Sequence, residues 1–415
     1  MNPKPRNIEA YITKKVSFKF RGKSLAFALS QGLFSSADID AGTRLLLKVF
    51  SKTLDAMQSP KTVLDAGCGV GVIGICAAAS ADCAVRCQDR DELARGFTEY
   101  NARQNRIPPE RLSARAEPLL AGNPADRWDL ILSNIPAKAG KPVLADFIQR
   151  SAGLLTPSGR ALIVAVNPLA DFFRSAIETL LYEETGPGHT VFVYGPSEKP
   201  AEPILSGPRF LEQYPAYLRR TGDYRIEETA YAIDAVHGAG DFDSPRGTVP
   251  PAAKLIVREA GKRLRQSDAP LAVLIQEPGQ GHFPVWLSEY LPCKNEFTLA
   301  GRNILALEAS RHNLRRALSA TICSIVDLET HRDVLVREKG YDFIAGFPET
   351  VPQTDRLRAH WDGLESLLSS EGVAVLSFPS AEAERFDRKK PKSFARIGDV
   401  KRNGFRALAY RKNSL

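Results

Sequence analysis

Short apolar runs separated by amphipathic stretches make up most of the chain. Runs near residues 62–65, 84–88, 112–116, 129–133, 161–166 and 190–194 have the length and composition of strands, and the segments between them carry apolar residues at helical spacing. Strands alternating with helices predict a mostly parallel sheet covered by helices on both faces, an α/β fold. Ligands in such sheets lie beyond the carboxyl ends of the strands, where the strand order reverses. Chemistry is therefore expected in the few residues after each strand.

The pattern occurs twice. Asp40, Gly42-Thr43 and the apolar run from Leu45 return as Asp243, Gly247-Thr248 and a run from Ala252, while Val63-Leu64 with Gly69 and Gly71 return as Val273-Leu274 with Gly279 and Gly281. Trp128-Asp129-Leu130-Ile131 returns as Tyr341-Asp342-Phe343-Ile344. Leu154-Leu155 with Gly159 returns as Leu367-Leu368 with Gly372. The offsets, 205, 210, 213 and 213, drift so little that they indicate tandem duplication of a domain of about 200 residues. Gly195–Pro203, rich in proline and turn formers, reads as the linker and gives domains at 1–198 and 199–415.

Composition narrows the function classes. A 415-residue chain accommodates two domains with their own cores, and 43% hydrophobic with 25% charged residues describes a globular protein. The longest apolar stretches, such as 161–166, are too short to span a bilayer, and residues 1–7 hold no apolar run, so a cytoplasmic chain with no membrane partner is expected. Six cysteines without a C-x-x-C pair read as reduced thiols and not as a disulfide framework or zinc site. His282 and His312 read as surface or loop histidines, and no metal is expected. The net charge of +8 is unevenly spread: residues 1–24 carry +6, residues 381–415 carry +7, and the rest −5. Localised positive charge, including Arg388-Lys389-Lys390-Pro391-Lys392 and Lys401-Arg402, attracts phosphate backbones, the alternative being a solvated surface.

The densest local signal is Val63-Leu64-Asp65-Ala66-Gly67-Cys68-Gly69-Val70-Gly71, leading into the apolar helix start Val72–Ala77. Glycines at alternate positions let backbone approach a ligand closely. The spacing is G-x-G-x-G with an acid two residues ahead; a diphosphate would be repelled by Asp65, whereas a cationic amino acid on a nucleoside would be attracted. Asp89, ending the second strand, can accept hydrogen bonds from two ribose hydroxyls.

These residues resemble the class I S-adenosylmethionine (SAM) methyltransferases. The resemblance implies SAM as cofactor, held by Asp65, Gly67, Gly69, Gly71 and Asp89, with Asn105 at a spacing common in the family. It places Glu117, after the third strand, toward the adenine amino group; a plain surface acid is the alternative. Ser133-Asn134-Ile135-Pro136-Ala137 resembles the N-P-P-F/Y signature of amino-methylating enzymes, which implies Asn134 and Pro136 as catalytic residues. An exocyclic amine is a poor nucleophile; the Asn134 oxygen and a neighbouring main-chain carbonyl can accept both its N–H bonds and aim the nitrogen at the methyl, without metal or covalent intermediate.

Gln31-Gly32-Leu33-Phe34-Ser35, Asp38–Thr43 and Leu45–Leu47 resemble the segment that precedes this motif in tandem ribosomal RNA guanine-N2 methyltransferases, where it walls the cofactor site; Phe34 and Thr43 are implied as cofactor contacts. Two features depart from that family. Its usual order puts the degenerate copy first, whereas here the first copy holds the chemistry. The signature's first proline is Ile135 and its aromatic, which stacks on the target base, is Ala137. Lys138 and Lys141 are candidates for phosphate contact, with ordinary exposed loop lysines as the alternative.

In the second copy Ile275 stands at the Asp65 position, Glu277 at Gly67, Pro278 at Cys68, Pro284 at Gly74 and Phe347 at Asn134. Glu308 is expected to retain the character of Asp89, and residues 396–410 to form the terminal hairpin, whose Lys401 and Arg402 could grip RNA. The expectation is two tandem Rossmann-like domains: a catalytic SAM-binding domain and a degenerate, substrate-positioning one. The chain would act as a monomer on an exocyclic amine, guanine N2 in structured RNA, ribosomal RNA or a ribosomal subunit. Methylation of a protein glutamine side chain, or a SAM- and RNA-binding scaffold without turnover, are the alternatives.

Overall fold

A computed structural model describes residues 8–34, 37–204, 210–239, 244–265, 269–315, 317–328, 332–349 and 351–413. They fall into two compact units, one within residues 1–206 and 351–354, the other within 207–350 and 355–415. The sequence-based boundary lies at 198/199 and the structural division at 206/207.

The first unit opens with a hairpin of β1 (Lys14–Phe20) and β2 (Lys23–Leu29). Its two-residue turn, Arg21-Gly22, takes positive φ at both positions (+44° and +75°), the geometry that matches strand twist. Helix α1 (Ala41–Ala56) follows, then β3 (Thr62–Ala66), α2 (Val72–Ser80), β4 (Ala84–Asp89), α3 (Glu92–Gln104), β5 (Leu112–Ala116) and β6 (Trp128–Asn134). The unit ends with α4 (Lys141–Gly153), β7 (Leu155–Val166), α5 (Ala170–Ala176), β8 (Leu180–Thr185) and β9 (His189–Tyr194). The seven-stranded sheet has the order β5-β4-β3-β6-β7-β9-β8, and β9 runs antiparallel to both its neighbours. Leu130, Ile131 and Leu132 of β6 and Ala161–Val164 of β7 are fully buried, as strands covered on both faces must be. Strand order reverses between β3 and β6, which puts the ends of these strands at the switch point.

All six expected strands of this half are present. Two features were not expected. Strand β8 is an edge strand whose Leu180, Leu181 and Tyr182 are exposed, so its apolar content does not follow a core pattern. The β1–β2 hairpin was masked by its lysines, although Val16, Phe18 and Phe20 alternate as a strand should.

The second unit repeats the plan. A hairpin of β10 (Leu218–Ile226) and β11 (Thr229–Val236) precedes β12 (Ala272–Gln276), β13 (Glu296–Gly301), β14 (Ser319–Ser324), β15 (Tyr341–Gly346), β16 (Leu368–Pro379), β17 (Phe394–Arg402) and β18 (Phe405–Lys412). The order is β14-β13-β12-β15-β16-β18-β17. The terminal hairpin turns at Asn403-Gly404 with φ of +47° and +82°. Both units are α/β, with tandem Rossmann-like sheets of the same order.

The duplication extends to side-chain bonds. In the first unit Asn101, on α3, accepts from Ala28 N (2.8 Å) and donates to the carbonyls of Ala28 (3.1 Å) and Val70 (2.9 Å). In the second, Asn313 accepts from Asp234 N (2.9 Å) and donates to the carbonyls of Asp234 (3.1 Å) and Gln280 (2.9 Å). Each asparagine ties the preceding hairpin to the glycine loop. Asn105, just past α3, pairs with Ala26 N (2.9 Å) and O (2.7 Å) and extends this clamp; its role is structural.

Three expectations for the second copy are corrected. Glu308 is not the counterpart of Asp89. Gln276 pairs with Ala300 as Ala66 pairs with Gln88, so Gly301 takes the Asp89 position, and Glu308 lies within the helix Ile304–Asn313 beside Arg311. His282 is not on the surface but fully buried, its Nδ1 3.1 Å from the Tyr231 hydroxyl, and burial lowers its pKa to about 4. His312 lies on the same helix as Glu308, 2.9 Å from Asp234. Asp243, Ser35 and the N-terminal lysine and arginine at positions 4 and 6 lie outside the described residues.

Candidate active site

The glycine loop between β3 and α2 holds Gly67, Gly69 and Gly71 at φ of +82°, +55° and +87°. L-residues pay about 1–2 kcal/mol to adopt that region. The three glycines serve different ends. A Cβ on Gly71 would come 2.9 Å from Thr98 Cγ2, so this glycine permits packing; a Cβ on Gly69 would meet nothing within 4 Å, so this one leaves bare backbone beside open space.

Asp65 is wholly buried at the end of β3. Its Oδ2 accepts from Gly74 N at 2.8 Å, and its Oδ1 has no partner among the described residues. Burial pushes its pKa up to about 7, against the opposing pull of the Gly74 N–H, and nearby Asp89 adds to the rise. Asp89, ending β4, accepts from Gly69 N (2.9 Å) and Asp91 N (3.0 Å), one bond to each oxygen. Those bonds fix its rotamer and leave lone pairs on both oxygens for further donors. Burial, with Asp91 beside it, raises its pKa too. Glu117 follows β5 and accepts from buried Gln88 Nε2 at 3.0 Å. An orphaned carboxylate oxygen, an acid with spare acceptors and an open glycine backbone fit SAM, which carries an ammonium, two ribose hydroxyls and an adenine amine.

Asn134 ends β6, one strand over. Its Nδ2 lies 3.3 and 3.1 Å from the two carboxylate oxygens of Asp40 and 3.0 Å from Thr43 Oγ1. Asp40 is itself fixed as the cap of α1, accepting from Gly42 N (2.8 Å), Thr43 N (3.1 Å) and Thr43 Oγ1 (2.6 Å). Thr43 therefore belongs to the group around Asn134. Asp40 lies in the segment Asp38–Thr43 that the resemblance places along the cofactor site, and the sequence assigns it no role of its own; the available signal is an acid at a helix start. Pro136 is exposed and leads into a 3-10 turn at Ala137–Ala139, while Ile135 is buried in the core beside Leu144 and Phe147.

Phe34, on the turn after β2, takes no part in this network and is 71% exposed. Lys138 is exposed, and Lys141 stands over the Phe172 ring at 5.8 Å. Lys401 and Arg402 are exposed in the second unit's terminal hairpin, with Arg402 3.6 Å from Glu227. Most cations of that basic end are already engaged: Lys389, Arg396, Arg406 and Arg411 pair with acids, and Lys390 and Lys412 with carbonyls. A second set was missed. Arg44, Lys48 and Lys52 lie at i, i+4 and i+8 along α1, starting next to Thr43, and line one groove with Lys19 and Arg21. No group of three or more His, Cys, Asp or Glu able to hold a metal occurs among the described residues, and none of the six cysteines is in a disulfide. No described helix is long and apolar enough to cross a membrane.

Comparison with known proteins gives this arrangement its family. The methyltransferase small domain profile matches residues 24–182. An uncharacterized protein of Bacillus subtilis, YbxB, is 32% identical over 152 residues, covering 36% of this chain and 72% of that one. Ribosomal RNA small subunit methyltransferase C of Photorhabdus laumondii is 32% identical over 146 residues, but the match spans only 38% of its length. The structure of the T. thermophilus 16S rRNA N2 G1207 methyltransferase (RsmC), in complex with AdoMet and guanosine, aligns over 98% of this chain and 100% of that one with a TM-score of 0.62 at 17% identity, a likeness of fold. The chain belongs to the methyltransferase small domain family and is a class I SAM-dependent methyltransferase.

Proposed function

We propose that the first unit methylates the exocyclic N2 amine of a guanine in ribosomal RNA, and that the second, without cofactor chemistry, positions the substrate. The observation that carries the reading is the setting of Asn134. With Nδ2 turned toward Asp40 and Thr43, its Oδ1 faces away and accepts no bond among the described residues. A carbonyl-type acceptor at that strand end can take an amine N–H, draw lone-pair density onto nitrogen and hold the nitrogen in line. When bound, SAM supplies an electrophilic methyl on a sulfonium. Asp65 would hold its ammonium, Asp89 its ribose and Glu117 its adenine amine, and Phe34 could cover it from the turn. RNA as substrate is supported by the names of the relatives and by the basic stripe on α1.

The test is transfer of labelled methyl from SAM to RNA and ribosomal subunits from a strain lacking the gene, followed by nucleoside analysis. Label in N2-methylguanosine is expected. Label in protein instead would move the assignment to a glutamine-type amide, and SAM binding without transfer to either would leave a non-catalytic role.

A further inference from the structure

Two acceptors confront the amide of Asn134. The Asp40 carboxylate already receives three donors, two backbone N–H groups and the Thr43 hydroxyl, so it acts here as an acceptor. The single hydroxyl proton of Thr43 is committed to Asp40 Oδ2 at 2.6 Å, which leaves Oγ1 only lone pairs to offer Asn134. Turning the amide over would set Asn134 Oδ1 against three oxygens within about 3.3 Å, without a proton between them. The network therefore fixes which end of the amide points outward. The second unit offers an internal control. There Phe347 stands at the Asn134 position, and Thr248, which the sequence repeat aligns with Thr43, has a buried hydroxyl without a partner among the described residues. In that copy Thr248 is the residue just before the helix Val249–Leu255 and makes no side-chain cap.

We propose that Asp40 and Thr43 are positioning residues that lock the Asn134 amide with its oxygen toward the substrate amine. The inference rests on Asn134 being the acceptor for that amine. It separates two jobs of Asp40, capping α1 and orienting Asn134, which different substitutions divide. Asparagine caps helices as well as aspartate. In Asp40→Asn, however, an NH2 group can face Asn134, which favours the flipped amide and presents a donor where the substrate needs an acceptor. Serine in Asp40→Ser can cap but is too short to reach Asn134, so it weakens the lock without inverting it.

The experiment measures methyl transfer to ribosomal subunits from a strain lacking the gene, with SAM affinity and thermal unfolding recorded for each variant. Asp40→Asn is expected to lower kcat about 10²-fold while KM, SAM affinity and unfolding temperature stay near wild type. Asp40→Ser should lose less than Asp40→Asn, and Thr43→Val should lose activity that Thr43→Ser regains. Equal losses in Asp40→Asn and Asp40→Ser that track a lower unfolding temperature would reduce Asp40 to a cap and overturn the proposal, as would a wild-type kcat in Asp40→Asn. Asn134→Ala discriminates the levels. If it abolishes transfer while Asp40→Asn does not, the positioning role alone fails; if it leaves transfer intact, or the wild-type protein transfers nothing, the reading beneath fails and takes this inference with it.

Discussion

In the first unit the buried carboxylate of Asp65 accepts the N–H of Gly74; in the second, Ile275 and Pro284 stand at those positions, so acceptor and donor have been lost together. The backbone around them has not changed. Glu277, Gly279 and Gly281 keep left-handed φ of +54°, +60° and +109°, although a glutamate at the first position is strained there. The carboxylates have also traded places. Where the first unit has Gly67 and Asp89, the second has Glu277 and Gly301, and a Cβ on Gly301 would lie 3.0 Å from Glu277 Oε2. Glu277 accepts from Arg302 N at 2.9 Å, and burial together with Glu349 holds its pKa up. The loop shape is thus a property of the fold, while cofactor chemistry depends on which side chains the loop leaves out. A duplicated domain keeps the first and can lose the second.

The sharpest break between the copies is at the end of the fourth strand of each sheet. Asn134→Ala should lower kcat about 10²–10³-fold with little loss of stability, since the side chain is half-exposed. At the equivalent position Phe347 is buried with its ring centroid 4.8 Å from that of Phe283. Phe347→Ala should cost about 3–5 kcal/mol of unfolding free energy. Paired kinetics and denaturant unfolding would read out both; a catalytic loss from Phe347→Ala in excess of its folded fraction would contradict the division of labour.

The asparagine clamps predict the opposite, equal behaviour. Asn101→Ala and Asn313→Ala each strand a buried N–H and two carbonyls, and each should cost about 2–4 kcal/mol. Unequal costs in urea unfolding would mean that one copy no longer depends on its hairpin.

Asp65 ties the stability of the first copy to pH. Its folded pKa of about 7 lies above the unfolded value near 3.9, so the folded state holds a proton the unfolded state has lost between these limits. Stability contributed at this site is therefore present at low pH and falls as pH rises through that window, by at most about 4 kcal/mol. Asp65→Asn, which keeps an acceptor for Gly74, should unfold at a higher temperature than wild type at pH 8 and at the same temperature near pH 4. Bound ammonium favours the ionised carboxylate, so SAM affinity of the wild type should rise as pH increases through about 7, and the variant should lose that rise. Calorimetry on both proteins tests the two signs at once.

The sequence made the sheets legible because strands buried on both faces advertise themselves, as 129–133 and 161–166 do, and because glycines at alternate positions have few other uses. It made the group around Asn134 legible only in part. Asp40 is separated from Asn134 by 94 residues, and an acid at a helix start already has a sufficient reason to be there. Glu308 misled because a carboxylate was sought by residue type near a strand end, whereas register assigns the place to Gly301. The terminal hairpin at 396–410 was legible, but the one at β1 and β2 was not: there lysines occupy exposed positions that read as charge before they read as alternation.

The smallest effects concern RNA, and they ask which copy grips it. Glu184 already pairs with Lys48 (2.7 Å) and Lys52 (2.6 Å), and these cations hold its pKa down to about 2. It therefore remains charged at any working pH and offsets part of the α1 stripe. Surface pairs of this kind contribute roughly 0–1 kcal/mol to stability, so Glu184→Gln should fold normally. Its consequence should be electrostatic: two lysines freed for phosphates, tighter RNA binding by a few-fold, and a steeper fall of affinity with salt, by about 0.7 in log–log slope for each phosphate gained. Lys48→Gln should shift binding and slope the other way. Lys401→Gln with Arg402→Gln should shift them less, because these two lie on the second unit's terminal hairpin whereas the α1 stripe begins next to Thr43 and the Asn134 group. A larger change from the Lys401 and Arg402 pair than from Lys48 would place the RNA grip on the second unit.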